Sequence, residues 1–141
     1  MVSIFRMWFE NLLTILGMRA SVESVMRSPP VTASLYEPVS SVVEKMVSNK
    51  IGAVIVMSGD AHAGMITERD TVERVMWANK DPKETLAKDV MSSPLISIES
   101  NMRVRDALTL MRDKKMRRLA VTRKGRLIGL VTVRRLLDSL V

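Results

Sequence analysis

Displaced against itself by 65 residues, this chain meets itself again without a gap. Val25-Met26-Arg27-Ser28-Pro29 falls on Val90-Met91-Ser92-Ser93-Pro94, and Gly64-Met65-Ile66-Thr67 falls on Gly129-Leu130-Val131-Thr132. Val39, Met46, Lys50 and Val56 meet Val104, Met111, Lys115 and Val121. Only 11 of the 55 aligned positions (22–76 against 87–141) are identical. The force of the match lies in one register kept from end to end, with glycine and proline in step. A repeat this short buries too little surface to stand alone. Two of them sharing a core is the economical solution, so the chain reads as one pseudo-symmetric domain rather than two independent ones.

Each repeat predicts the same elements. An amphipathic turn (22–26, 87–91) ends at Ser-Pro, because the residue before proline is pushed out of the helical region. A short apolar strand follows (30–33, 95–98), then a helix with Val39, Val42, Val43, Met46 and Val47 on one stripe, matched by Val104, Ala107, Leu108 and Met111. Two strands joined by glycine-containing turns (53–57 with 64–67; 119–122 with 127–131) predict a hairpin. A last helix begins at Glu68 and at Val133. The expected fold is α+β, a β-α-β-β-α order twice, with the two repeats packed through their sheets and an extra N-terminal helix. The expected divisions are 1–21 (N-terminal amphipathic helix), 22–76 (first repeat), 77–86 (polar linker) and 87–141 (second repeat).

Composition narrows the class. At 141 residues and 47% apolar, the chain is one domain's worth and not a disordered tail. It has no cysteine, which excludes a disulfide framework and thiolate metal sites and fits a reducing cytoplasm. The net charge of +7 is unevenly placed: residues 87–141 alone carry 13 basic and 5 acidic side chains. A partner bearing phosphates or carboxylates is expected to meet that part.

The paired V-M-x-S-P segments and the closing G-h-h-T-x-x-D pattern resemble a tandem CBS-domain pair (Bateman module) over residues 22–141. The resemblance implies a non-enzymatic regulatory module, commonly a homodimer, that binds an adenosine compound in clefts between its repeats and acts on a separate protein. AMP or ATP is the implied ligand, with S-adenosylmethionine also within the class and no cofactor required. In the first closing motif, Gly64-Met65-Ile66-Thr67-Glu68-Arg69-Asp70, the Asp70 carboxylate can accept two hydrogen bonds from vicinal ribose hydroxyls, assisted by Thr67. The same residues also match a helix capping box, with Thr67 as N-cap and Asp70 at the third helical position. By the family's crossed geometry Asp70, Thr67 and Met65 share a site with Ile96, Ser97, Met116, Arg117 and Arg118, the arginines gripping phosphate. Adjacent strand residues face opposite ways, so at most one of the two arginines is expected to reach a given phosphate. In the second closing motif Arg135 replaces the aspartate beside Thr132, and a guanidinium offers no acceptor for hydroxyls. The second site, formed from Thr32, Ile51, Gly52, Ala53, Thr132 and Arg135, is therefore expected to be weak, empty or adapted to an anion.

The remaining features carry less. His62 is the one histidine and is assigned no metal or catalytic role. Residues 1–20 are too short and too interrupted by Arg6, Glu10 and Asn11 for a membrane span, and read as an amphipathic helix covering apolar surface on its own domain or on a second copy. No P-loop, dinucleotide fingerprint or metal cluster marks an enzyme. Nucleic-acid binding through the basic second repeat and pure assembly without a ligand stand as the alternatives.

Overall fold

The computed structural model describes residues 3–8 and 20–140. Residues 3–8 form a helix, α1, and the rest of the expected N-terminal helix lies outside the described residues. Each repeat forms one three-stranded sheet, β1-β2-β3 and β4-β5-β6, in a mixed α+β chain. The chain divides into two compact units, a central one of Pro29–Ile96 and a terminal one that joins Met1–Ser28 to Ser97–Val141.

In the central unit β1 (Thr32–Ser34) leads through α2 (Val39–Asn49) to the hairpin of β2 (Ala53–Ser58) and β3 (Ala61–Thr67). Strand β1 runs parallel to β2, with Thr32 opposite Ile55, and β2 runs antiparallel to β3, with Ala53 opposite Thr67. As the middle strand, β2 is buried from Ala53 through Val56, which is why its sequence is a continuous apolar run rather than an alternation. Helix α2 lays Val39, Val42 and Met46 into the core, each such side chain stabilising the fold by about 1.5–3 kcal/mol. Strand β1 starts two residues later than the apolar run suggests, at Thr32, and the equivalent strand of the second repeat is delayed by the same two residues, to Ser97. Then come α3 (Glu68–Thr71), a π-helical turn (Val72–Met76) and, after the connection, α4 (Ala87–Val90).

The terminal unit repeats this in register: β4 (Ser97–Glu99), α5 (Val104–Lys114), β5 (Arg118–Arg123), β6 (Arg126–Thr132) and α6 (Val133–Asp138), preceded by a 3₁₀ turn at Val22–Ser24. Helix α5 buries Val104, Ala107, Leu108 and Met111, and it ends like α2 on a left-handed lysine, Lys115 at φ 54° against Lys50 at φ 53°.

The compact units and the sequence repeats are different divisions of the chain. The opening turn of each repeat packs on the sheet of the other. Arg27 exchanges two backbone hydrogen bonds with Leu130 on β6 (2.8 and 3.1 Å), and Ser92 exchanges two with Met65 on β3 (2.9 and 3.0 Å). Val22 N–H donates to Met102 O at 2.8 Å, as Ala87 N–H donates to Glu37 O at 2.8 Å. Every one of these pairs maps onto its twin by the 65-residue shift.

Glycine makes the exchange possible. A Cβ on Gly64 would stand 2.7 Å from Ser92 O, and one on Gly129 would stand 2.9 Å from Arg27 O. The connection also does more than span. Helix α2 has no side-chain cap at Pro38, and its first N–H groups, Val39 and Ser40, donate instead to Thr85 O (2.8 Å) and Pro82 O (2.9 Å).

Candidate functional site

The closing motif of the first repeat sits where β3 becomes α3. Thr67, extended at φ −107°, is the N-cap, and its hydroxyl accepts from Asp70 N–H at 3.3 Å. Asp70 Oδ2 accepts in return from Thr67 N–H (2.9 Å) and from the Thr67 hydroxyl (3.1 Å). The capping box anticipated from the spacing is therefore formed. Only 7% of Asp70 is exposed, a burial that a carboxylate tolerates when its oxygens are hydrogen-bonded.

Two contacts on Asp70 were not foreseen. Ser92, in the opening turn of the second repeat, donates its hydroxyl to Oδ1 at 3.1 Å, and Arg74 Nε lies 3.8 Å from the same oxygen. Arg74 also ties that turn down directly, donating from one Nη to Val90 O (3.1 Å) and Met91 O (2.9 Å). Ser92 fills the variable position of V-M-x-S-P, so only its pairing with Met65 explains its place beside the carboxylate. Met65 itself lies on β3 opposite Ile55. Thr67 stands opposite Ala53, and Gly52 O accepts from Glu68 N–H at 3.0 Å. Ile51 is half-buried against the central core, and Thr32 gives its carbonyl to Lys45 Nζ at 2.7 Å.

The matching corner of the terminal unit has a different chemistry. Thr132 caps α6 and accepts from Arg135 N–H at 3.1 Å, but the reciprocal carboxylate is missing. Arg135 instead donates from Nε to Val25 O. Val25 is the register twin of Val90, so Arg135 makes the tie to the opening turn that Arg74 makes in the central unit. Arg27 takes the place of Ser92, and two cations thus replace the Asp70–Ser92 pair.

Of the other expected site residues, Met116, Arg117 and Arg118 lie at the entry to β5, and Ser97 opens β4 opposite Ala120. Arg118, half-buried, is the first residue of β5 and pairs with Thr132. Arg117 gives its carbonyl to Val133 N–H (2.9 Å), and Met116 and Arg117 line a groove flanked by α5 and α6. Ile96 closes the central unit and is half-buried. Met65, Thr67 and Asp70 are thus held together in one unit, while Ser97, Met116, Arg117 and Arg118 belong to the other. Among the described residues no group of three or more His, Asp or Glu side chains is placed to hold a metal ion. None of their helices is long and apolar enough to cross a membrane.

A CBS-domain family model matches residues 22–76 and 87–141. The chain belongs to the CBS-domain family. An uncharacterized protein of Methanopyrus kandleri is 40% identical over 120 residues, covering 84% of this chain and 61% of that protein, so this chain spans less than two thirds of that relative's length. The CBS domain-containing protein YhcV of Bacillus subtilis is 30% identical over 114 residues, 81% of each chain. Among solved structures, a protein with CBS domains from Burkholderia ambifaria superposes with a TM-score of 0.75 at 28% identity, over 88% of this chain and 90% of that one. None of these three is named as an enzyme. Tandem CBS pairs are regulatory modules, and this chain is one of them.

Proposed function

We propose that this CBS pair is a non-enzymatic sensor that takes up an adenine nucleotide, AMP or ATP, and reports its occupancy to a separate protein, with the cytoplasm as its place of action. Asp70 and Thr67 receive the ribose hydroxyls and Arg118 receives phosphate. The observation that carries this reading is the preparation of Asp70. Its carboxylate is buried and already oriented by Thr67 and Ser92, so little freedom remains to be lost when a diol arrives. The carboxylate already accepts three hydrogen bonds, two of them from the Thr67 and Ser92 hydroxyls, and rotation of those hydroxyls away from it frees acceptor sites for a pair of ribose hydroxyls. Arg118 fits the phosphate end better than Arg117, since Arg117 lines the α5–α6 groove. The cations at Arg27 and Arg135 leave the second motif without a ribose acceptor, so one nucleotide per chain is the expected stoichiometry.

Titration calorimetry with AMP, ATP and S-adenosylmethionine tests this, using wild type, Arg118→Ala and Asp70→Asn. The expected result is one site per chain for a phosphorylated adenosine. Arg118→Ala should weaken it tenfold or more, the cost of one charge-assisted contact to phosphate. Absence of heat with all three ligands removes the reading. A steeply salt-dependent affinity for duplex DNA, indifferent to Asp70→Asn, would replace it with nucleic-acid binding through the basic second repeat.

A further inference from the structure

The expectation that the N-terminal helix covers apolar surface on its own domain does not hold for α1. All six of its residues are exposed, with Ile4, Phe5, Met7 and Trp8 at 68%, 72%, 58% and 60%. At the pitch of an α-helix these four fall on one side, and Ser3 and Arg6 on the other. The Phe5 and Trp8 rings lie about one turn apart with centroids at 6.2 Å, so they form one aromatic surface. Elsewhere in the terminal unit Leu137, at 36%, is the one large apolar side chain comparably exposed among the described residues.

The chain that carries α1 joins the fold at one end of the terminal sheet. Ala20 O accepts from Val104 N–H at 2.9 Å, and Ser21 pairs with Arg103 at the start of α5. Strands β4 and β5 run out at the same end, where Glu99 is paired with Thr122 and Arg123 with Arg126 across the hairpin turn. That turn holds Lys124 and Gly125 in the left-handed region (φ 51° and 78°), the backbone of a tight two-residue hairpin. Five exposed cations gather here, Arg103, Arg105, Arg123, Lys124 and Arg126, against three carboxylates, Glu23, Glu99 and Asp106. Glu23 is paired with Arg123, and Glu99 accepts from the Thr122 hydroxyl at 3.1 Å. At the five equivalent positions the central unit has Pro38, Ser40, Ser58, Gly59 and Ala61, none of them charged. The basic end is peculiar to the unit that holds α1.

We propose that α1 and this basic end together hold the protein on an anionic bilayer surface, with Ile4, Phe5, Met7 and Trp8 sunk among the headgroups and the five cations facing lipid phosphate. The helix lies on the membrane and does not cross it. A single short apolar insertion attaches only marginally, and a polybasic patch is the kind of second signal that makes attachment stable. Each cation near an anionic surface strengthens attachment about fivefold. Tryptophan is a side chain that settles at headgroup level. Eleven residues separate α1 from Ala20, at most about 40 Å of chain, which lets both parts meet one flat surface. A nucleic-acid duplex would engage the cations and leave the apolar side of α1 in water. Arg118 pairs with Thr132 at the far end of strands β5 and β6, so attachment leaves the end assigned to nucleotide phosphate open.

The test is vesicle flotation of the full chain without nucleotide, so its outcome is separate from that of the sensor reading. The vesicles are phosphatidylcholine alone or with about one third phosphatidylglycerol. Wild type should float with the anionic vesicles, be released as salt rises, and bind the neutral vesicles at least tenfold more weakly. Phe5→Ser with Trp8→Ser removes the insertion, and Lys124→Glu with Arg126→Glu reverses part of the charge. Each double variant should weaken flotation tenfold or more. All four side chains are exposed, so both variants should melt like wild type. Wild type that stays below the anionic vesicles, or that floats equally with neutral ones, overturns the proposal. So does flotation that either variant leaves unchanged. Duplex DNA bound alike by wild type and by the Phe5 and Trp8 variant, with vesicles ignored, would put a nucleic acid in place of the membrane.

Discussion

Replacing Asp70 by alanine should destabilise the ligand-free protein, quite apart from any effect on nucleotide binding. The carboxylate accepts from Thr67 N–H at 2.9 Å, the Thr67 hydroxyl at 3.1 Å and the Ser92 hydroxyl at 3.1 Å. Loss of half of a capping box costs about 1 kcal/mol. Each remaining bond to the ionised acceptor is worth about 1.5–3 kcal/mol before its donor is re-satisfied. Ser92 and Thr67 hydroxyls can rotate toward water, which recovers most of that, and a net loss of about 2–3 kcal/mol follows. For a domain of this size that corresponds to a fall in Tm of roughly 8–12 °C. Scanning calorimetry on wild type, Asp70→Ala and Arg135→Ala, all without ligand, measures it. Arg135 is exposed and makes one side-chain bond to its opening turn, through Nε to Val25 O, so Arg135→Ala should stay within about 1 kcal/mol of wild type. Were Asp70→Ala to melt within about 2 °C of wild type, the structural role assigned to the buried carboxylate would be refuted. For this reason the binding test rests on calorimetric affinity and on Arg118, not on a melting shift at Asp70.

Other expectations follow from single contacts. Gly64→Ala and Gly129→Ala each place a methyl less than 3 Å from the backbone carbonyl of the exchanged turn, at Ser92 and at Arg27. Each should cost about 1–3 kcal/mol of stability, read as a shift in urea midpoint. In Glu37, burial raises the carboxyl pKa, but hydrogen bonds from Lys45 and Ser41 outweigh it and leave the value below its ordinary 4.5. Its stabilisation is therefore present above that value and lost as pH falls through the lowered one. Denaturant unfolding at pH 6 and pH 3 should show wild type losing more stability on acidification than Lys45→Met. Ser92→Ala leaves Oδ1 of Asp70 with Arg74 at 3.8 Å as its remaining partner, and should cost about 1 kcal/mol by thermal unfolding.

Much of this molecule was legible beforehand because the register is exact in hydrogen bonds and not only in letters. The starts of α3 at Glu68 and α6 at Val133, the β2–β3 and β5–β6 hairpins and the central burial of β2 all follow from apolar period and turn residues. The exchange of opening turns does not. A translational repeat says which residues are equivalent, but Val22–Met26 matches Ala87–Met91 equally well whether each turn packs on its own sheet or on the other. For the same reason Ser92 and Arg74 were missed as partners of Asp70, since their proximity depends on that choice. At Arg135 the sequence displays a cation where the first motif has its carboxylate. Its positive task, holding the Val25 carbonyl, became visible only once the turn was in place.

The exchanged turns bear on how such a chain relates to its own half. A lone repeat in solution would hold a sheet whose glycine slot is empty and a turn with no sheet to enter, and it could satisfy both only by meeting another copy. The connection at residues 77–86 ties those two encounters into one molecule. An association that would otherwise weaken on dilution becomes a folding step that does not, with an effective concentration set by ten residues of chain instead of by how much protein the cell makes.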